Sequence, residues 1–203
     1  MAPHKCNYII FSNKNISKNS LNIKLYNVKL DKSKNPTFLG LRFDSGMNFN
    51  NQINYIIERC YSRLNCIKIL SQKNFKLTKD TLVQIYIALV RSVMEYSSII
   101  ISRLSNKNYK RLQAIQNSAL RAIFKIPYKT CSNEIRTISG VKVLSERFSD
   151  LNKNYFIKSF INNNPLISSL YEEYLLFSEA RYLKYKSLFC EHKDILNTYY
   201  SLV

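Results

Sequence analysis

Pro36-Thr37-Phe38-Leu39-Gly40-Leu41-Arg42-Phe43 decides the fold, because the spacing of apolar residues changes directly after it. Before residue 45 that spacing is the period of two of a strand; from Asn48 it is the three-and-four of a helix. Gly40 is one of only three glycines in 203 residues. Glycine weakens a strand interior, so one between Leu39 and Leu41 marks a bulge, a hairpin bend or the close approach of another backbone. Pro36 suits the first position of a strand, where its missing N–H removes no ladder hydrogen bond.

Upstream, Tyr8-Ile9-Ile10-Phe11 is a short apolar run closed by the polar cluster Ser12-Asn13-Lys14-Asn15. Leu21, Ile23 and Leu25 alternate with Asn22, Lys24 and Tyr26, the pattern of a half-buried strand. A turn at Asn27 leads to Val28-Lys29-Leu30. These pieces predict a small antiparallel meander of three or four strands, too small to be stable without other elements covering it.

Downstream, Phe49, Ile53, Ile56, Ile57, Cys60, Leu64 and Ile67 predict a helix over 48–71. Thr78 is a fitting N-cap, with Asp80 in the first turn, for a second helix carrying Leu82, Ile85, Tyr86, Leu89, Val90, Val93 and Met94. Ser105 caps a third, ended by Pro127. A short helix over 132–139 stops at Gly140, and a longer one over 143–162 breaks at Asn162-Asn163-Asn164-Pro165. Further helical pieces are expected over 167–174 and 180–200. The expected fold class is therefore α+β, mainly α: strands over 1–45, a helical bundle over 46–126 and further helices over 127–203.

Lys and Arg outnumber Asp and Glu by 31 to 13, a formal charge of +18 spread along the whole chain. So large an excess repels itself unless an anion shares the surface, which points to a polyanionic partner. The five cysteines, Cys6, Cys60, Cys66, Cys131 and Cys190, show no paired C-x-x-C spacing, and Cys60 and Cys66 fall on different faces of their helix. They read as reduced structural thiols. Leu82 to Ile101 is apolar but contains Arg91 and Glu95, which excludes a bilayer span, and no secretory h-region opens the chain. An intracellular protein of cytoplasm or nucleus is expected, with no membrane partner. Neither His4 nor His192 has an acid or nucleophile at motif spacing, and no Gly-rich phosphate loop occurs. Tyr55, Tyr86, Tyr109 and Tyr155 fall on apolar helical stripes and are expected in the core.

The order of these pieces carries a resemblance. Lys5-Cys6-Asn7-Tyr8-Ile9-Ile10-Phe11-Ser12, then Phe38-Leu39-Gly40, then Leu82-Val83-Gln84-Ile85-Tyr86, Leu89 to Ser98, Leu112-Gln113-Ala114-Ile115-Gln116-Asn117 and Gly140-Val141-Lys142-Val143-Leu144 resemble, in sequence and spacing, the end of the palm and the thumb of non-LTR (LINE-type, jockey-like) retrotransposon reverse transcriptases. The resemblance spans roughly residues 4 to 170. It implies RNA-templated DNA synthesis primed from a nicked target, with Mg²⁺ as the cofactor of the intact enzyme.

The resemblance also implies roles. Phe38, Leu39 and Gly40 would be primer-grip residues, and Lys5 would sit where related polymerases carry a general acid for departing pyrophosphate. From the residues alone Lys5 is an edge-strand lysine. Two-metal chemistry needs converging carboxylates. Asp31, Asp44, Asp80, Asp150 and Asp194 are each isolated, and no aromatic-x-Asp-Asp turn occurs. The expectation is a stretch of polymerase that follows the catalytic aspartates, binds no metal itself and is inactive alone. Its expected partner is a primer-template held through the outward cations Arg59, Arg63, Lys68, Arg91, Lys107, Lys110, Arg111 and Arg121. The missing palm and fingers, or another protein, would meet the exposed sheet edge. The rival reading is a non-enzymatic basic helical protein whose uncovered strands bind a protein partner.

Overall fold

The computed structural model describes residues 2–12, 21–101, 105–177 and 188–200. The fold class is as expected, α+β and mainly α. The chain divides into two compact units, one ending at Val141 and the other starting at Lys142.

In the first unit, six two-residue strands follow a 3₁₀ turn at Pro3–Lys5: β1 (Asn7–Tyr8), β2 (Lys24–Leu25), β3 (Val28–Lys29), β4 (Asp31–Lys32), β5 (Thr37–Phe38) and β6 (Leu41–Arg42). They pair as three separate ladders instead of one meander. β2–β3 and β5–β6 are antiparallel hairpins, whereas β1 and β4 run parallel, with Asn7 opposite Asp31 and Tyr8 opposite Lys32. The long connection between β1 and β4 permits that direction, which a tight turn could not. Both hairpins turn on two residues of positive φ: Tyr26 at 50° and Asn27 at 63°, then Leu39 at 47° and Gly40 at 78°. Such turns match the twist of the flanking strands. Of the openings left by the sequence at Gly40, the hairpin bend is the one realised.

Asp44 turns the chain from hairpin to helix. Its Oδ1 accepts from the N–H groups of Gly46 and Asn48 at 3.1 and 3.0 Å, and its Oδ2 from Phe49 at 2.6 Å. One carboxylate thus gathers the backbone donors of the turn that leads into the helix. Helix α1 (Asn50–Leu70) follows, burying Ile53, Ile56, Ile57, Cys60, Leu64 and Ile67 as their spacing predicts. Thr78 caps α2 (Lys79–Tyr86) by accepting from Thr81 N, and Ser105 caps α5 (Asn106–Phe124) by accepting from Asn108 N. Both N-caps lie where the sequence puts them. Lys125 at φ 57° ends α5 before Pro127, and Gly140 at φ 64° ends α6 (Ser132–Ser139).

Between α2 and α3 (Ser92–Glu95) the helix widens into a π segment, Ile87–Arg91; α4 (Ser98–Ile101) comes next. The cause is legible in the burial pattern. Leu82, Tyr86, Val90 and Met94 are all buried and recur at a strict spacing of four. An α-helix turns about 100° per residue, so three such steps drift by about 120°. Taking more residues into one turn brings all four back onto the seam facing α1 and α5. These three long elements form the bundle, with Leu112, Ile115, Ala119, Leu120 and Ile123 from α5 closing it.

The second unit contains α7 (Leu144–Ile161), α8 (Pro165–Phe177), a 3₁₀ turn at Leu188–Glu191 and α9 (Lys193–Tyr200). Phe156, Phe160, Ile167, Tyr171 and Leu196 form its core, with Phe189 and Tyr174 packed against them. The helical piece expected over 180–200 lies partly outside the described residues; within them it is α9. Of the four tyrosines expected in the core, Tyr86 is fully buried, but Tyr155 is 43% exposed and Tyr55 and Tyr109 are only half-buried. Their rings lie at the margin of their stripes, where the hydroxyl keeps contact with water.

Candidate nucleic-acid interface

The β5–β6 hairpin is fixed at its base and bare at its tip. Arg42 N donates to Gln52 Oε1 on α1 at 3.0 Å, and Phe43 N to Pro36 O at 2.9 Å. The Phe43 ring stands edge-on to Phe49, with centroids 5.8 Å apart. At the other end Phe38 and Leu39 are 65% and 72% exposed. Large apolar side chains held this far into solvent on a strained turn are costly unless something covers them.

Beside the tip lies a cleft of about 420 Å³, lined by Leu39, Gly40, Tyr55, Arg59, Arg63 and Tyr96 among others. Its charge comes from Arg59 and Arg63 of α1, and Arg42 of β6 stands next to it at the Tyr55 ring. The Arg42 guanidinium sits 4.0 Å over the Tyr55 ring and that of Arg59 5.4 Å from it, while Arg59 also donates to the Tyr55 hydroxyl at 3.2 Å. Arg63 donates to the Leu89 carbonyl at 2.6 Å, one of the carbonyls of the π segment. Among the described residues none of Arg42, Arg59 and Arg63 is paired with a carboxylate. Three guanidiniums held in place by neutral groups keep their charge available to an anion.

The sequence candidates divide accordingly. Phe38, Leu39 and Gly40 form the tip, and Arg59 and Arg63 are brought to it. Lys5 ends the first 3₁₀ turn, exposed. Lys68 is exposed near the far end of α1, and Lys107 and Lys110 are exposed on α5. Arg111 is engaged with Asn108 at 3.1 Å and Asn54 at 3.0 Å. Arg121 donates to the Thr130 carbonyl at 2.9 Å and lies 5.4 Å over Tyr128. Arg91 is mostly covered and pairs with Glu95 at 2.9 Å within its own helix. None of these last six lines the cleft. The sequence reading missed Arg42, Tyr55 and Tyr96 as site residues. Arg42 stands inside the hairpin stretch itself, and its place two residues after Gly40 was the available signal.

Among the described residues the aspartates singled out in the sequence stand in separate parts of the chain. Asp44 is fully used by backbone donors, Asp80 sits in the first turn of α2, and Asp150 pairs with Lys142 at 2.7 Å, a contact that lowers its pKa. Among the described residues no group of three or more His, Cys, Asp or Glu side chains is placed to hold a metal ion. No helix among them is long and apolar enough to cross a membrane.

Comparison with known proteins bears out the resemblance to a transposon reverse transcriptase. The chain is 26% identical over 153 residues, 75% of its length, to the "Probable RNA-directed DNA polymerase from transposon BS" of Drosophila melanogaster. It spans 17% of the length of that relative. No family model matches the chain. No solved structure matches it either.

Proposed function

We propose that this stretch of chain is the primer-template-holding part of a non-LTR retrotransposon reverse transcriptase, contributing grip and no phosphoryl-transfer chemistry of its own. The observation that carries the reading is the juxtaposition of an exposed Phe38-Leu39-Gly40 tip with a cleft edged by unpaired arginines. Similarity to a transposon polymerase supports it, as does a formal charge of +18. In this reading the strands belong to the end of the palm and the α1–α5 bundle to the thumb. Lys68, Lys107 and Lys110 extend the positive surface along the duplex, where contacts to phosphates position it without reading sequence. Lys5, exposed at the end of the 3₁₀ turn that precedes β1, would be the vestige of a general acid. The protein would work in the cytoplasm or nucleus, where its polynucleotide is.

A titration against a duplex RNA–DNA hybrid with a recessed 3′ end tests this. Neutralising five or six phosphates gives a log-log slope against salt of about −5. Replacing Arg59 and Arg63 together by Ala lowers affinity at every salt concentration and makes the slope shallower by about 1 to 2.

A second reading is favoured by the exposed apolar side chains on and beside the strands, Phe11, Leu21, Val28 and Leu39 among them. These would serve a protein partner, whether the rest of a palm or an unrelated chain, with the charge incidental. Hybrid affinity that hardly changes between low and moderate salt favours this rival.

A further inference from the structure

We propose that Tyr96 is the positioning residue of the hairpin, holding the Leu39–Gly40 tip in one conformation for the strand that lies against it; this rests on the primer-holding reading above. The Tyr96 hydroxyl donates to the Leu39 carbonyl at 2.7 Å, across 57 residues of sequence. Its ring backs the open face of Gly40, with Cε1 and Oη 3.7 and 3.8 Å from where a Cβ would stand. Among the described residues no other side chain hydrogen-bonds the tip.

The tip needs such a partner. Its strands are two residues long, and Leu39 is held at φ 47°, a left-handed conformation that a branched, non-glycine residue rarely adopts. The base is tied by Arg42 and Phe43, so whatever freedom the hairpin retains is concentrated in its turn. Tyr96 has no competing employment: its side chain is 68% exposed and contributes nothing to the core. It stands directly after α3, on the helix that carries the π segment, and also lines the cleft holding Arg59 and Arg63. A single phenol thereby sets the tip against the cationic wall.

The test compares Tyr96→Phe with the parent chain in three measurements: amide hydrogen exchange at Gly40 and Leu41, affinity for the recessed-end hybrid, and thermal stability. Losing one exposed hydrogen bond gives a several-fold rise in exchange at the tip. It weakens hybrid binding about three- to ten-fold. The melting temperature stays put, because nothing is removed from the core, and the salt slope is unchanged because no phosphate contact is lost. Tyr96→Ala, which also removes the ring behind Gly40, goes further in both exchange and affinity. Unchanged tip exchange in both variants overturns the proposal. So does faster exchange with undiminished affinity, or a salt slope shallower by a full unit, which would make Tyr96 a direct phosphate ligand. If the parent chain binds no hybrid at all, it is the primer-holding reading that fails, and the exchange comparison alone still decides whether Tyr96 orders the turn.

Discussion

The Tyr86 hydroxyl donates to Gln116 Oε1 at 2.8 Å, and both side chains are closed off from solvent. One residue comes from α2 and the other from α5, each inside a stretch of sequence that resembles transposon polymerases. Burial pushes the Tyr86 phenol well above its usual range, so it remains a donor at every ordinary pH. Tyr86→Phe leaves the Gln116 amide oxygen without this partner in an apolar seam and costs about 1–3 kcal/mol. Urea denaturation reads that loss.

Asp44 holds three backbone donors at the entry to α1. Asp44→Ala loosens that turn and costs about 1–3 kcal/mol, the range for hydrogen bonds to a charged group. Far-ultraviolet circular dichroism during urea titration should show an earlier midpoint with an unchanged slope.

Gly40 has φ 78°, and a Cβ there would meet only the Tyr96 ring at an ordinary 3.7 Å. The penalty of Gly40→Ala is therefore conformational and not steric, about 1–2 kcal/mol for a residue with a Cβ in the left-handed region. With strands of two residues the loss falls on the hairpin, not on the bundle. NMR should show the Thr37–Arg42 pairing weakened while the α1 and α5 resonances stay in place. Gly40→Asn, which tolerates positive φ better, should be milder.

Burial pushes the Cys60 thiol up from 9.0 to about 11, against the opposing pull of Arg63 and Arg59. Cys66 and Cys131 are exposed. Alkylation at pH 8 followed by peptide mass spectrometry should label Cys66 and Cys131 and spare Cys60 until the fold opens. The sign of the linkage follows from the raised value. Cys60 contributes stability that is complete below about pH 9 and is lost as pH climbs toward 11, since the unfolded chain releases that proton first. Cys60→Ala should flatten the alkaline limb of the stability profile.

Helix starts were legible because they rest on local chemistry. Thr78 and Ser105 cap where hydroxyls precede apolar periods, and Gly140 closes α6 with the positive φ that favours glycine. Strand pairing was not, because it depends on partners distant in sequence: nothing in Asn7-Tyr8 announces that Asp31-Lys32 will lie parallel to it. The site was half readable. Phe38-Leu39-Gly40 and the α1 arginines stand out as motif and as charge, whereas the link between Leu39 and Tyr96 exists only once the bundle has folded. Cation candidates on α5 were the least legible, since a helical stripe does not say whether an arginine meets solvent or, like Arg111, a neighbouring amide.

The helix through Ile87–Arg91 carries one residue more than a regular spiral would need between Tyr86 and Met94. That surplus makes it a place where the gene can lose a codon without scrambling the protein. Removing Leu89, exposed within the segment, would let the coil relax to ordinary pitch while the residues on either side kept their bearings. The same loss from the middle of α1 would swing every later side chain by about 100°. The two helices therefore differ in how much damage they can absorb.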